Sequence, residues 1–277
     1  MLDSWSDNKV TRDMSSYLKT EDFSIQNCDR TLVGRLHLGS NDIPVLIVHG
    51  YLSSNKIGIH RLYVEMANVL SNAGYCVLRI DLSGMGESDG DISNFEFGDH
   101  VSDVNLAVTK LMDYVGSNKV HYIGHCFGTC TALQSAIENR AYVESLTLVS
   151  PFMPSEKNYI KLLSTDKSYF ELQTTGSTLR KGLVCRKSFI DAGYVINNYS
   201  EFCKQSKIDS FVYFSEYDEM VCLAESITWA RDNYLRYKII SGAEHNFISP
   251  TARLNLFSEL ENRFRLLNTK QYSIKRA

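Results

Sequence analysis

The sequence predicts an α/β protein whose central sheet is doubly wound and mostly parallel, with a helical cap inserted after a central strand. Six short apolar runs each break into Gly, Ser, Asp or His, at 44–50, 75–82, 120–126, 146–152, 211–218 and 237–245. Near-continuous apolar runs of this length are typical of strands buried on both faces of a parallel sheet. Helical patterns separate several of the runs, and such alternation favours right-handed βαβ units.

The remaining elements follow from shorter patterns. Two early runs, 22–26 and 31–38, predict an antiparallel hairpin at the sheet edge. Helical periodicity predicts helices over 60–72, 100–115 and 129–140. Near the end of the chain, apolar residues recur at helical spacing and form one stripe: Leu256, Phe257, Leu260, Phe264 and Leu267.

The alternation stops between Pro151 and about Ile208. An insertion after a central strand lies at the carboxyl edge of the sheet, where α/β proteins bind ligands. We therefore predict a core domain of residues 1–150 and 209–277 and a cap of residues 151–208, with a packed structural excursion as the alternative. Aromatic residues of this segment suggest an apolar pocket, although core packing explains them as well; the candidates for substrate contact are Tyr159, Tyr169 and Tyr194.

Composition narrows the function classes. The chain has 277 residues, 44% of them hydrophobic and 22% charged, with a net charge of −3. This charge gives no reason to expect a nucleic acid or an anionic membrane as partner. No run approaches the roughly 20 apolar residues of a membrane span, and the first residues show no apolar leader. Seven cysteines without metal-type spacing favour a reducing, cytoplasmic setting. No metal site or cofactor is predicted, and the oligomeric state is left open.

The stretch GHCFGT, residues 124–129, has the Gly-x-Cys-x-Gly spacing of a nucleophile elbow. A strand runs into this turn and a helix leaves it, so Cys126 would face a helix N-terminus that favours the thiolate. The alternative is a buried cysteine in a tight turn, which is common. Cys130 lies one helical turn further on, and we interpret it as a small core residue, since two thiols without a third ligand make a poor zinc site.

Two further residues complete a candidate triad. Asp218 follows the fifth apolar run and His245 the sixth, so both are predicted at the carboxyl ends of strands. Nucleophile, acid and histidine in this chain order predict that Asp218 orients His245, which takes the thiol proton. Three neighbouring carboxylates are alternatives for the acid: Glu216, Glu219 and Glu244.

The turn after the first central strand, HGYLSS at 49–54, supplies a candidate oxyanion hole. Its backbone can aim the N–H of Tyr51 at a developing oxyanion, and the N–H of Phe127 would be the second donor. Both residues would act through the main chain.

Together these motifs, with DLSGMGESDG at 81–90 and the closing GAEHNF, resemble the α/β-hydrolase superfamily over nearly the full length of the chain. The resemblance implies the α/β-hydrolase fold, a triad of Cys126, His245 and Asp218, and lipase-like, feruloyl-esterase-like or thioesterase-like members as the nearest kin. Cysteine nucleophiles occur in dienelactone hydrolases, in acyl-CoA amino-acid N-acyltransferases and in some thioesterase or cyclase domains. The cysteine is thus the departure from the usual serine.

A cysteine nucleophile favours particular substrates. Attack by a thiol gives a thioester, so acyl exchange with coenzyme A or carrier-protein thioesters is nearly isoenergetic, whereas attack on an ordinary ester is uphill. We therefore expect a thioesterase or acyltransferase acting on acyl thioesters. The alternatives are a carboxylesterase or lactonase, and a receptor that traps ligand without turnover. Basic residues of the predicted cap, which could receive a carrier phosphate or merely solvate the surface, are Lys157, Lys161, Lys167, Arg180, Lys181, Arg186 and Lys187.

Overall fold

The structure is a computed structural model that describes residues 19–52, 54–180 and 182–274, with the backbone alone for residues 270–274. The strands in chain order are β1 (Thr20–Asn27), β2 (Arg30–His37), β3 (Pro44–Val48), β4 (Cys76–Ile80), β5 (Val120–His125), β6 (Val143–Val149), β7 (Ser177–Arg180), β8 (Leu183–Arg186), β9 (Asp209–Ser215) and β10 (Tyr237–Ile240). Eight of them form one sheet in the order β1-β2-β4-β3-β5-β6-β9-β10, and β7 and β8 pair separately.

The sheet is mostly parallel, as predicted. Each of the six apolar runs overlaps a strand, and these six strands pair in parallel with one another. β1 and β2 form the predicted antiparallel hairpin at the edge, and β2 joins β4 antiparallel. Every residue of β3, β4 and β5 is buried, which explains their apolar runs.

The helices in chain order are α1 (Leu62–Asn72), α2 (Phe97–Val115), α3 (Gly128–Glu138), α4 (Glu156–Leu163), α5 (Asp166–Thr175), α6 (Lys187–Ala192), α7 (Tyr199–Ser206), α8 (Leu223–Asp232) and α9 (Pro250–Ile274). Helices α1, α2, α3 and α9 match the predicted segments within a few residues at their starts. Helix α8 was not predicted; it is short, and its buried residues are Ser226 and Ala230. None of the helices in the described ranges is long and apolar enough to cross a membrane.

Two apolar cores lie on opposite faces of the sheet. Along β3, Val45 and Ile47 belong to the core that also contains residues of α1 and α9. Leu46 belongs to the core that also contains residues of α2 and α3. This alternation follows the two-residue period of a strand. Helices cover both faces of the sheet. Polar side chains can therefore collect at the carboxyl ends of the strands.

Residues 151–208, between β6 and β9, lie outside the eight-stranded sheet and form α4, α5, the β7–β8 hairpin, α6 and α7. We call them the inserted segment. It packs on the core through Phe189, whose ring stacks on Tyr51 with 3.9 Å between centroids and 11° between planes. The inserted segment therefore touches the turn that follows β3.

Candidate active site

Cys126 occupies the turn between β5 and α3. Its φ of 55° lies in the left-handed region, which is uncommon for a residue other than glycine and holds strain. The turn is fixed by four hydrogen bonds to its backbone. Cys126 N donates to Val149 O at 3.1 Å, and Cys126 O accepts from Thr129 N at 3.2 Å, from Thr129 Oγ1 at 2.6 Å and from Phe152 N at 3.4 Å. The side chain is half-buried at the head of α3.

Three glycines make this turn possible by close approach. A Cβ added to Gly128 would lie 2.3 Å from His49 O, and one added to Gly124 would lie 2.6 Å from Cα of Thr129. Either distance is too short for any side chain. A Cβ on Gly50 would sit 3.5 Å from the Sγ of Cys126, so glycine at this position keeps the space beside the sulfur open.

His245 and Asp218 meet as the sequence predicts. The Nδ1 of His245 lies 2.8 Å from Oδ2 and 2.9 Å from Oδ1 of Asp218. The two side chains are only 3% and 6% exposed. Asp218 is held in turn by backbone donors, since its Oδ1 accepts from Met220 N at 2.9 Å and from Val221 N at 2.8 Å. The carboxylate therefore fixes the ring so that Nε2 faces away from it.

The alternative carboxylates bind elsewhere. Glu216 accepts from Gly242 N at 2.7 Å, and Glu244 accepts from Ser249 N at 3.0 Å. Glu219 accepts from the backbone N of His245 at 3.0 Å, so it supports the loop but does not touch the ring. Of the four, Asp218 is the one bonded to the imidazole.

The Nε2 of His245 is buried and makes no hydrogen bond of standard geometry within the described residues. Cys126 is nevertheless close enough to perturb the ring. Burial lowers the pKa of His245, but the charge of the Cys126 thiolate and hydrogen bonds from the ring to Asp218 and Cys126 outweigh burial and raise the pKa well above 6.5. The raised pKa makes His245 a stronger base toward the neighbouring sulfur.

Two backbone amides are available as oxyanion donors. Among the described residues, neither Tyr51 N nor Phe127 N donates a hydrogen bond. Tyr51 follows Gly50, whose Cβ position adjoins Cys126, and Phe127 precedes the first turn of α3. The structure thus leaves free the two N–H groups that the sequence singled out.

Tyr51, Cys126 and His245 line one pocket of about 210 Å³. The three predicted substrate-contact tyrosines do not line it. Tyr159 is buried and donates to Ile190 O at 2.7 Å, Tyr194 lines a separate groove beside α2, and Tyr169 packs near Phe170 on α5. Their role in substrate binding stays a prediction.

Cys130 packs as a core residue. It is fully buried, and burial raises its pKa to about 12, so the thiol stays protonated. Its Sγ donates a weak hydrogen bond to Gly193 O at 3.6 Å.

His125 contributes a contact that the sequence analysis did not identify. It is buried directly before Cys126, and burial, with the nearby His245, lowers its pKa to about 3, so the ring is neutral. Its Nε2 donates to the carbonyl of His245 at 3.0 Å, and its Nδ1 accepts from Tyr63 Oη at 2.8 Å. His125 therefore ties the His245 loop to β5. Its position next to the nucleophile was the available signal.

Arg180 was predicted only as one of seven basic residues, without a place beside Cys126. Of the predicted basic cluster, Arg186 is paired with Glu96 at 2.9 Å, and Lys181 lies outside the described residues. Arg180 lines the pocket with Cys126, and its Nε is buried without a hydrogen-bond partner among the described residues. Leu162 of α4 lines the same pocket, so two parts of the inserted segment border the thiol.

Comparison with known proteins is consistent with this geometry. A family model described as the α/β-hydrolase fold matches residues 43–175. Lysophosphatidylserine lipase ABHD12 of Gallus gallus is 34% identical over 122 residues, which cover 42% of this chain and 29% of that protein. Soluble epoxide hydrolase of Corynebacterium sp. is 29% identical over 108 residues, covering 38% of this chain and 34% of that protein. The matched part thus spans about a third of each of these relatives.

The solved structure of Est1E from Butyrivibrio proteoclasticus, with ferulic acid bound, superposes with a TM-score of 0.75 at 16% identity. The superposition covers 89% of this chain and 99% of that one, so the likeness extends through the whole fold. With the strand order, the elbow and the loop positions described above, these matches lead to one conclusion. The chain has the α/β-hydrolase fold.

Proposed function

We propose that this protein is an acyl-transfer enzyme that works through a covalent acyl-cysteine on Cys126, with His245 as base and Asp218 as its positioning acid. One observation carries the proposal: Cys126 is held at a φ of 55° beside a histidine whose other nitrogen lies 2.8 Å from a buried carboxylate. Both curated relatives named above are hydrolases, which supports hydrolysis as the overall reaction.

The proposed reaction runs in two halves. Sγ attacks the acyl carbon as its proton passes to His245 Nε2, and the oxyanion accepts from the amides of Tyr51 and Phe127. The bond from the acyl carbon to the leaving group then breaks, and the leaving group takes the proton from His245. A water molecule next loses a proton to His245 and attacks the acyl-cysteine. The acid leaves, and the Cys126 sulfur recovers its proton from His245.

We propose acyl thioesters of coenzyme A or of a carrier protein as the substrate class. Exchange between two thioesters has little driving force to overcome, whereas an oxygen ester lies below the acyl-cysteine in energy. The raised pKa of His245 supports its role as the base that takes the proton of Cys126. An amine in place of water would make the same intermediate an acyltransferase.

The inserted segment is proposed to act as a cap over the acyl group. Leu162 and Arg180 are its residues at the pocket, and they lie on separate elements, α4 and β7. Leu162→Ala should change the preference between long and short acyl chains more than it changes hydrolysis of an acetyl thioester. Equal effects on both substrates would argue against a cap that contacts the acyl chain.

The test of the proposal is intact-protein mass spectrometry after brief exposure to a panel of acyl thioesters. The wild-type chain should gain one acyl group, Cys126→Ala should gain none, and Cys28→Ala should behave as wild type because Cys28 is exposed and remote from the site in sequence. The mass gained identifies the preferred acyl group. Adducts that persist in Cys126→Ala would refute the assignment of the nucleophile.

Turnover separates the alternatives. Product in excess of one equivalent of protein indicates an enzyme, whereas a receptor saturates near one equivalent. Acylation by activated esters or lactones but by no thioester would retain the nucleophile and reject the thioester class.

A further inference from the structure

A second cavity, of about 680 Å³, lies beside β2 and β4 and is bordered by the loop that follows β3. Four cationic side chains line it among the described residues, namely Arg35, Lys56, Arg61 and Arg79, together with one carboxylate, Glu87. We call it the cationic cavity. A cleft lined mainly by one sign of charge attracts ions of the opposite sign.

The positive charges are brought together by strand register. Arg35 of β2 is directly opposite Arg79 of β4 in the antiparallel pair. Like charges in directly opposite positions destabilise a sheet. Arg79 is also only 4% exposed, so water screens its charge poorly.

Among the residues that the structure describes, the hydrogen-bond partners of Arg79 are neutral. Its Nε and Nη2 donate to Nε2 of His37 at 3.1 and 2.9 Å, and its Nη1 donates to the carbonyl of Lys56. Burial, with the charge of Arg79, lowers the pKa of His37 to about 4, so this ring is neutral. No carboxylate of the described residues lies within ion-pair distance of the guanidinium.

The pKa of the Arg79 guanidinium reflects these surroundings. Burial lowers its pKa to about 10, and the charges of Arg35 and Arg61 act in the same direction. The carboxylate of Asp81 opposes them but is the weakest of these influences, and it lies against Lys56 Nζ at 2.5 Å. A buried guanidinium without a counter-charge costs stability that an incoming anion would restore.

The other cations of the cavity are only partly neutralised. Lys56 contacts both Asp81 and Glu87. Arg35 is paired at 3.0 Å with Asp22, whose side chain is 83% exposed, so this ion pair is screened by water. Arg61 forms no ion pair within the described residues. The guanidinium groups of Arg35 and Arg61 are therefore available to a ligand above the buried Arg79.

We propose that the cationic cavity binds a phosphate-class anion, either inorganic phosphate or the phosphate of a larger molecule. Guanidinium groups match phosphate oxygens through paired hydrogen bonds, and three of them face this cavity. The site is separate from the thiol and does not depend on the function proposed for Cys126.

The cavity is linked to the catalytic pocket through one loop. Ser54 and Ile59 line the pocket at Cys126, whereas Lys56 and Arg61 line the cationic cavity. An anion bound here would order the segment that follows the amide of Tyr51. Coenzyme A and phosphopantetheine carry phosphate, so the carrier of a thioester is one source of the anion, and free phosphate is the other.

The experiment compares sodium phosphate with sodium chloride at equal ionic strength, by calorimetric titration and by thermal unfolding. Phosphate should bind once per chain and raise the Tm, because a ligand of the folded state stabilises it. Arg61→Gln should weaken phosphate binding at least five-fold, and the pair Arg35→Gln with Arg61→Gln should abolish it. Arg265→Gln, which removes the same charge from exposed α9, should bind as wild type.

Equal Tm values in phosphate and chloride, or wild-type binding by the double variant, would overturn the proposal. Titration with coenzyme A separates the two sources of the anion. Binding at least ten-fold tighter than inorganic phosphate, with that gain lost in Arg61→Gln, identifies a carrier; equal affinities identify free phosphate.

Discussion

The pocket at Cys126 and the cationic cavity adjoin the same loop but differ in how buried charge is paired. In the pocket, the imidazole of His245 lies 2.8 Å from the carboxylate of Asp218. In the cavity, the guanidinium of Arg79 lies against a neutral ring and a carbonyl. A charge that forms during a reaction needs a permanent partner within the protein. A charge that lacks one indicates a place where the partner comes from outside.

Replacing Asp218, the partner of His245, should have the largest effect on the rate of catalysis. Asp218→Asn keeps the shape of the acid but releases the tautomer of His245, so kcat for thioester hydrolysis should fall roughly 10⁴-fold, as in other triads. Steady-state kinetics measures the loss. Glu216→Gln is the matched control and should leave kcat within a factor of about three. A near wild-type rate for Asp218→Asn would remove the distinction between the two sites.

The turn at Cys126 can be disrupted by a substitution that changes no charge. Gly128→Ala places a Cβ 2.3 Å from His49 O and 2.4 Å from Val48 O, both backbone atoms of the strand or turn beside it. We expect a loss of more than about 3 kcal/mol in the free energy of unfolding, measured in urea. Gly98→Ala is the control: no heavy atom lies within 4 Å of its Cβ position, so the helical residue should gain up to about 1 kcal/mol. A small loss for Gly128→Ala would mean that the turn is not closely packed.

Titration of His245 tests its electrostatic coupling to Cys126. Its pKa is raised above 6.5 by the Cys126 thiolate and by Asp218 against the effect of burial, so Cys126→Ala should lower it, as followed by NMR of the ring. Because the folded-state pKa is raised, the charged ring contributes stability below about pH 6.5, and that contribution is lost as the pH rises through the raised value. An unchanged pKa in Cys126→Ala would mean that the thiol and the ring are not coupled.

The smallest effect is expected in the cationic cavity without phosphate. Arg61→Gln removes repulsion toward Arg79 and should raise the free energy of unfolding by up to about 0.5 kcal/mol at low salt. Glu87→Gln is the opposite control, since it removes a partner of Lys56 and should lower stability by up to about 1 kcal/mol. A clear loss of stability in Arg61→Gln without phosphate would show that Arg61 is structural.

Much of the site could be predicted because its residues follow strands. Cys126, Asp218 and His245 each come at the end of an apolar run. Because parallel strands end at the same edge of a sheet, the three residues were expected at one edge. The elbow could be predicted because Gly124 and Gly128 flank Cys126 at a fixed spacing. Helix α8 was missed although Leu223, Ile227 and Ala230 recur at helical spacing, because the segment is short and only Ser226 and Ala230 are buried.

The inserted segment was the least predictable region. Its aromatic residues pointed to a pocket, yet Tyr159 turned out to be buried against Ile190, whereas Leu162 and Arg180 line the pocket at the thiol. Side chains in a segment without strand periodicity are directed by packing partners that are distant in sequence.

Local patterns in the sequence predicted most strands and helices in their order. They also predicted Cys126, His245 and Asp218 as the candidate triad, with three glutamates as alternatives for the acid, because these patterns depend on local spacing and on the period of a strand. Only the tertiary structure decided which carboxylate contacts His245, that His125 ties the histidine loop to β5, and that Arg35 stands opposite Arg79. These contacts join residues from different strands and loops, and the electrostatic energies that follow from them depend on burial, which arises only when the chain has folded.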